Sequence, residues 1–152
     1  GEVDFSRYDY VADAIDTVSS KIELLRLCRE AGVPVITGPC LTDRSKPELV
    51  GQTLDNPALL HRAGVKIAIC TDHPETPIQY LPLCAAMAVR GGLNPEEALA
   101  AITSSAAEIA GLSKRVGTLT PGKDADVVVT KGHPFDWNGG IKAVFLNGRR
   151  VK

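Results

Sequence analysis

"VKIAICTDHPETP", Val65 to Pro77, is an apolar run that stops at Thr71-Asp72-His73-Pro74. A short, β-branched stretch bounded by turn residues has the pattern of a strand covered on both faces. Just before it, Pro57 to Ala63 reads as a helix with Asn56 as its cap, and Gly64 stops that helix. The same grammar stands earlier in the chain. Ile22, Leu24, Leu25, Cys28 and Ala31 form one stripe at helical spacing, so Lys21 to Ala31 predicts a helix capped by Ser19 or Ser20. Gly32 ends it, Val33 to Thr37 predicts a strand, and Gly38-Pro39 halts the strand. Helix, glycine, strand and polar motif, twice over, is the sequence form of an α/β fold with parallel strands. Functional groups in such folds gather at the carboxyl ends of strands. Asp72 and His73 occupy that position.

Downstream the pattern becomes helical. Ile78 to Arg90 is apolar on most sides and predicts a buried helix starting near Pro82, with Gly91-Gly92 as its stop. Asn94-Pro95-Glu96-Glu97 is a helix start: a cap, a proline in the first turn, and two acids at the positive end of the dipole. Thr103-Ser104-Ser105 predicts a further start, and Gly111 a further stop. After Leu112 the character changes. Gly117 to Leu119, Ala125 to Thr130 and Ala143 to Val151 read as short strands, with Asn147-Gly148 as a hairpin turn. The expected organisation is therefore an α/β segment over 1–111 and a small β unit over 112–152. Residues 1 to 17 are acidic and mixed, with no clean period.

Bulk composition excludes several classes of function. Apolar residues make up 44% and charged residues 23%, the ordinary globular range, so a packed core is expected rather than disorder. A net charge of −1 leaves no basic stripe, which argues against a nucleic-acid partner. No apolar run is long enough to span a bilayer, which argues against a membrane partner. Cys28, Cys40, Cys70 and Cys84 form no C-x-x-C pair and sit in apolar contexts. They read as small buried hydrophobes in a reducing, cytoplasmic setting.

Among polar residues, Asp72 is the first candidate. A carboxylate at the mouth of a buried parallel strand can ligate a divalent metal or accept a proton from an activated water. The same residue is good turn chemistry, and a capping role is the competing reading. His73 is either a hydrogen-bonded rim histidine or a substrate contact. Arg44, in the loop after Gly38, is either a solvated loop arginine or a partner for a substrate carboxylate. His61 and His133 lie far off in sequence, with no H-x-H or H-E-x-x-H pattern. The three histidines do not spell out a zinc site.

Three blocks together resemble the metal-dependent amidohydrolase superfamily, and its imidazolonepropionase-like and cyclic-amide hydrolase branches in particular. "VKIAICTDHP" is similar to the eighth barrel strand with its metal-site aspartate. "GLNPEEALAAITSSAAEIAGLSKRVGTLTPGKDADVVV" resembles the helix-helix-strand run that follows it, with a specific G-x-L-x-P-G-K-D-A-D-V-V-V ending. "GHPFD" and "VFLNGRRV" resemble the closing hairpin of the accompanying β-sandwich, and "VPVITGPCLTDRSKPE" the seventh strand and its loop.

The resemblance implies the C-terminal portion of a (β/α)8 barrel, with two of its strands, plus part of the small β-sandwich. It implies a divalent metal, zinc first, with Asp72 as metal ligand and catalytic proton shuttle, and hydrolysis of a C–N bond in a small-molecule amide or cyclic amide. A whole barrel takes about 250 residues, and the superfamily's upstream histidines and bridging lysine have no counterpart here. The expectation is a fragment, inactive by itself and binding no metal tightly. Its uncovered apolar faces imply self-association or pairing with the missing N-terminal half. A non-catalytic α/β interaction module that keeps the packing signature is the alternative.

Overall fold

The computed structural model describes residues 3–12, 18–41, 53–136 and 138–152. Two three-stranded sheets run in order along the chain. The first joins β1 (Val11–Ala12), β2 (Val35–Thr37) and β3 (Ile67–Ile69), all parallel, in the order β1-β2-β3. Helices α1 (Val18–Ala31) and α2 (Asn56–Arg62) stand between these strands, and α3 (Leu81–Arg90), α4 (Pro95–Ala101) and α5 (Ser104–Ile109) follow β3. The second sheet is antiparallel: β4 (Val127–Thr130), β5 (Ile141–Leu146) and β6 (Arg149–Arg150).

The stop signals read from the sequence act through one local device. Four helices end with a glycine at positive φ: Gly32, Gly64, Gly92 and Gly111. In each case the next residue's N–H reaches back to a carbonyl of the last turn: Val33 to Cys28, Val65 to Leu60, Leu93 to Ala88 and Leu112 to Ala107. That is the Schellman arrangement, which satisfies a helix-end carbonyl and turns an apolar residue inward. Val33, Val65 and Leu93 are accordingly buried.

β3 carries the core. Ile67, Ala68 and Ile69 are all buried, as a strand with covered faces requires. Helices α2, α3, α4 and α5 all pack on β3. Cys84, Ala85, Ala88, Ala98 and Ala101 supply small side chains that let these helices come close. Asn94 caps α4 as expected, its Oδ1 accepting the Glu96 N–H at 2.8 Å.

Several expectations are corrected. α1 begins at Val18, so Ser19 and Ser20 lie within the helix instead of capping it. The position before α2 is Asp55, and it makes no side-chain cap bond. Thr103 precedes α5 but turns its hydroxyl back to the Leu99 carbonyl at 2.6 Å. Gly117 to Leu119 is a bend and not a strand. A Cβ at Gly117 would meet that of Ala107 at 2.6 Å, so this segment lies tight against α5. The parallel sheet has three strands where two were expected, because Val11–Ala12 pairs with β2. The hairpin is as expected, with Asn147 (φ 49) and Gly148 (φ 74) in the left-handed pair its turn requires.

The ends of β2 and β3 nearly touch. Gly38 has φ 151, and a Cβ there would meet the Cys70 carbonyl oxygen at 2.2 Å. Replacing Gly38 by Ala is expected to cost about 2–4 kcal/mol. Gly111→Ala, where nothing lies within 4 Å, should cost only about 1–2 kcal/mol, from backbone strain. Urea midpoints of the two variants measure the difference.

Candidate active site at the carboxyl end of the parallel sheet

Past Ile69 the chain leaves the sheet and turns at once. Cys70 N–H still donates to the Thr37 carbonyl at 3.0 Å, which extends the parallel ladder by one bond. Thr71 is buried at 6% exposure, and Asp72 emerges beside it with φ 51, in the left-handed region. Non-glycine residues seldom occupy that region, though aspartate and asparagine do so more than others. The turn closes on two backbone bonds, Glu75 N–H to the Asp72 carbonyl at 2.9 Å and Thr76 N–H to the Thr71 carbonyl at 3.2 Å. The peptide between His73 and Pro74 is cis.

The Asp72 side chain is therefore both a turn residue and a rim residue. It caps no helix, since α3 starts only at Leu81 after a single 3-10 turn over Ile78–Tyr80. Asp72 and His73 are both exposed at the carboxyl end of β3. Arg44 lies outside the described residues. The other two histidines are placed elsewhere. His61, on α2, has Nε2 3.9 Å from Glu97 Oε2. His133 accepts the Phe135 N–H at Nδ1 (3.2 Å) and meets the Phe135 ring edge-on, so it supports the turn after β4.

Two features of the site left no local trace in the sequence. Thr76 is buried at 3% exposure, and its hydroxyl donates to the Leu41 carbonyl at 2.7 Å. This bond ties the loop after β3 to the loop after β2. Cys40, Cys70 and Cys84 also come together beneath the rim, from those two loops and the first turn of α3. Cys40, Cys70 and Cys84 are free thiols. Burial pushes the Cys40 thiol up to about 12, with Cys84 and Cys70 adding to the shift. Burial likewise raises the Cys70 and Cys84 thiols, although the backbone N–H groups of Cys40 and Leu41 act the other way on Cys84. Thiols held neutral in this way are packing groups and poor nucleophiles at pH 7.

Comparison with known proteins gives this geometry a family. The amidohydrolase family model matches residues 10–151. The chain belongs to the amidohydrolase family. It is 44% identical over 70 residues to an imidazolonepropionase of Geobacillus kaustophilus, covering 44% of this chain and 16% of that protein. It is 35% identical over 99 residues to an imidazolonepropionase of Thermoplasma volcanium, covering 59% of this chain and 24% of that one. Among solved structures, an amidohydrolase from Thermotoga maritima superposes with a TM-score of 0.81 at 39% identity, over 88% of this chain and 35% of that structure. A zinc-bound adenosine deaminase from Xanthomonas campestris shares the fold at 21% identity, with a TM-score of 0.59. The chain thus spans a minor part of the length of the relatives it matches.

Among the described residues, no three His, Cys, Asp or Glu side chains converge closely enough to hold a metal ion. Asp72 offers one carboxylate, and a zinc site takes three or four protein ligands. No described helix is long and apolar enough to cross a membrane.

The neutral thiols predict a pH dependence. A thiol whose pKa is raised on folding stabilises the fold fully below the unfolded value, about 8.5. That contribution falls as pH rises toward the folded value, because the unfolded chain gives up its proton first. The urea midpoint under reducing conditions should drop between pH 8 and pH 10. Cys40→Ala should show a smaller drop than wild type, and equal drops would contradict the assignment to Cys40.

Proposed function

We propose that the chain carries one wall of a hydrolase site for C–N bonds of small cyclic amides of the imidazolone type. The observation that carries this reading is the placement of Asp72. It is an exposed carboxylate in a fixed left-handed turn, at the carboxyl end of the most buried strand, within the span that matches the amidohydrolase family. In this reading Asp72 accepts a proton from the attacking water and returns it to the departing nitrogen. His73, its neighbour on the rim, contacts the substrate, and Arg44 pairs with a substrate carboxylate.

A divalent ion such as zinc would supply Lewis-acid activation once other ligands join Asp72. In this reading those ligands come from beyond the described residues, among which no three His, Cys, Asp or Glu side chains converge on an ion. The sheet supports this. β3 is an edge strand in the order β1-β2-β3, yet its three residues are fully buried and apolar. The backbone groups along that edge pair with no strand among the described residues and offer a place for a further one. Ile78, Leu119, Val128, Ile141 and Leu146 are large exposed apolar side chains that an added segment or a second copy would cover.

The test is reconstitution. The chain is co-expressed with the Geobacillus relative cut back to the region it does not share, and hydrolysis of an imidazolone is followed. Asp72→Asn should lower kcat at least about 100-fold while leaving the association of the two pieces unchanged. Activity that survives Asp72→Asn would remove Asp72 from the chemistry.

A further inference from the structure

We propose that Thr76 is a positioning residue for Asp72, its hydroxyl strapping the turn that carries Asp72 to the loop that leaves β2. The proposal rests on the reading of Asp72 as the site carboxylate.

Thr76 sits in a segment, Asp72-His73-Pro74-Glu75-Thr76-Pro77, whose other members are all exposed. It alone turns inward, to 3% exposure. Its Oγ1 donates at 2.7 Å to the carbonyl of Leu41, a residue 35 positions earlier. A buried hydroxyl needs such a partner, and this one crosses between the two loops that frame the carboxyl end of β2 and β3. Inside the turn, the Thr76 N–H holds the Thr71 carbonyl at 3.2 Å, and the Glu75 N–H holds that of Asp72 at 2.9 Å. The same residue therefore closes the turn around Asp72 and fastens it to its neighbour. Asp72 occupies φ 51, a sparsely populated conformation that persists only where the surroundings over-determine it.

The opposite end of this arrangement is already fixed. The Cys70 N–H bond to the Thr37 carbonyl at 3.0 Å joins the two strand ends at their base, where Gly38 lies against the Cys70 carbonyl. Thr76 adds the second point of attachment, at Leu41, from where the chain runs on toward Arg44. Two points of attachment set an orientation where one permits a swing. The strap therefore holds the backbone that carries Asp72 in a set position relative to Leu41 and the start of the loop after β2.

A role in packing alone makes a different prediction. Valine has the shape of threonine without the hydroxyl, whereas serine has the hydroxyl without the methyl. Packing would tolerate Thr76→Val and suffer from Thr76→Ser, and the strap requires the reverse. The experiment uses the full chain without metal or substrate, read by amide NMR and hydrogen exchange. In Thr76→Val the Asp72 and Glu75 amide signals should move, and Glu75 exchange should quicken about tenfold. Amides of β2 and β3 should keep wild-type rates, and Thr76→Ser should keep the wild-type spectrum around Asp72. Wild-type Asp72 and Glu75 signals in Thr76→Val, or equal displacement in Thr76→Ser, would overturn the proposal. Should Thr76→Val fail to fold, the wild-type hydroxyl proton decides. A resolved, slowly exchanging Thr76 hydroxyl supports the strap, and one that exchanges freely with water overturns it. None of these readouts involves turnover, so the strap and the proposed hydrolysis stand or fall separately.

Discussion

The site depends on the approach of two strand ends. Gly38 lies so close to the Cys70 carbonyl that no side chain fits between them. That contact, together with the bond from Cys70 N–H to the Thr37 carbonyl, fixes where β2 and β3 end relative to each other. Everything polar at the carboxyl end hangs from that junction. The β2 loop continues through Cys40 and Leu41, the β3 loop through Thr71 and Asp72, and Thr76 joins them again further out. A parallel sheet concentrates function at this edge because its strands all point there and its loops must cross there. In this chain the crossing is pinned, so the backbone that carries Asp72 has a defined path.

Energetics divide the molecule in two. The parallel sheet and its helices hold the buried residues, from Leu24 to Ile109. The antiparallel sheet has none: β4 is half-buried only at its two ends, Val127 and Thr130, and β6 is exposed throughout. Its own polar bonds are small in scale. Arg115 pairs with Asp124 at 2.6 Å just before the sheet, and within it the Asn147 N–H donates to Asp126 Oδ1 at 2.8 Å. Exposed pairs of this kind contribute about 0–1 kcal/mol each, so they orient the strands more than they stabilise them. Phe135 is the apolar link, half-buried against the main core. A sheet held this lightly, with Val128, Ile141 and Leu146 in water, is suited to receive further structure.

Much of this was legible in the sequence. The helix stops at Gly32, Gly64 and Gly111 were visible because a glycine followed by an apolar residue serves one local geometry. β3 was visible because Val65 to Ile69 is apolar almost throughout. β1 was not, because Val11–Ala12 is too short to show a period amid Asp9, Tyr10 and the acids that follow. Gly117 to Leu119 resembled a strand by composition, but its conformation is dictated by contact with Ala107, which composition does not encode. Asp72 could be singled out from its place after an apolar run. Thr76 could not. Between Glu75 and Pro77 it looks like any turn threonine, and its burial is created by Leu41, far away in sequence. The gathering of Cys40, Cys70 and Cys84 is hidden for the same reason, since each cysteine alone reads as a small apolar residue.

The central proposal is that this chain presents Asp72 on a pinned turn, in a site completed by ligands from beyond the described residues. The direct measurement is zinc content, by atomic emission, after equilibration with zinc and exhaustive dialysis, for the purified chain and for the chain reconstituted with its complementary piece. The account predicts well under one zinc per chain in the first case and stoichiometric metal in the second, lost in the reconstituted Asp72→Asn variant. Stoichiometric zinc retained by the purified chain alone would contradict it.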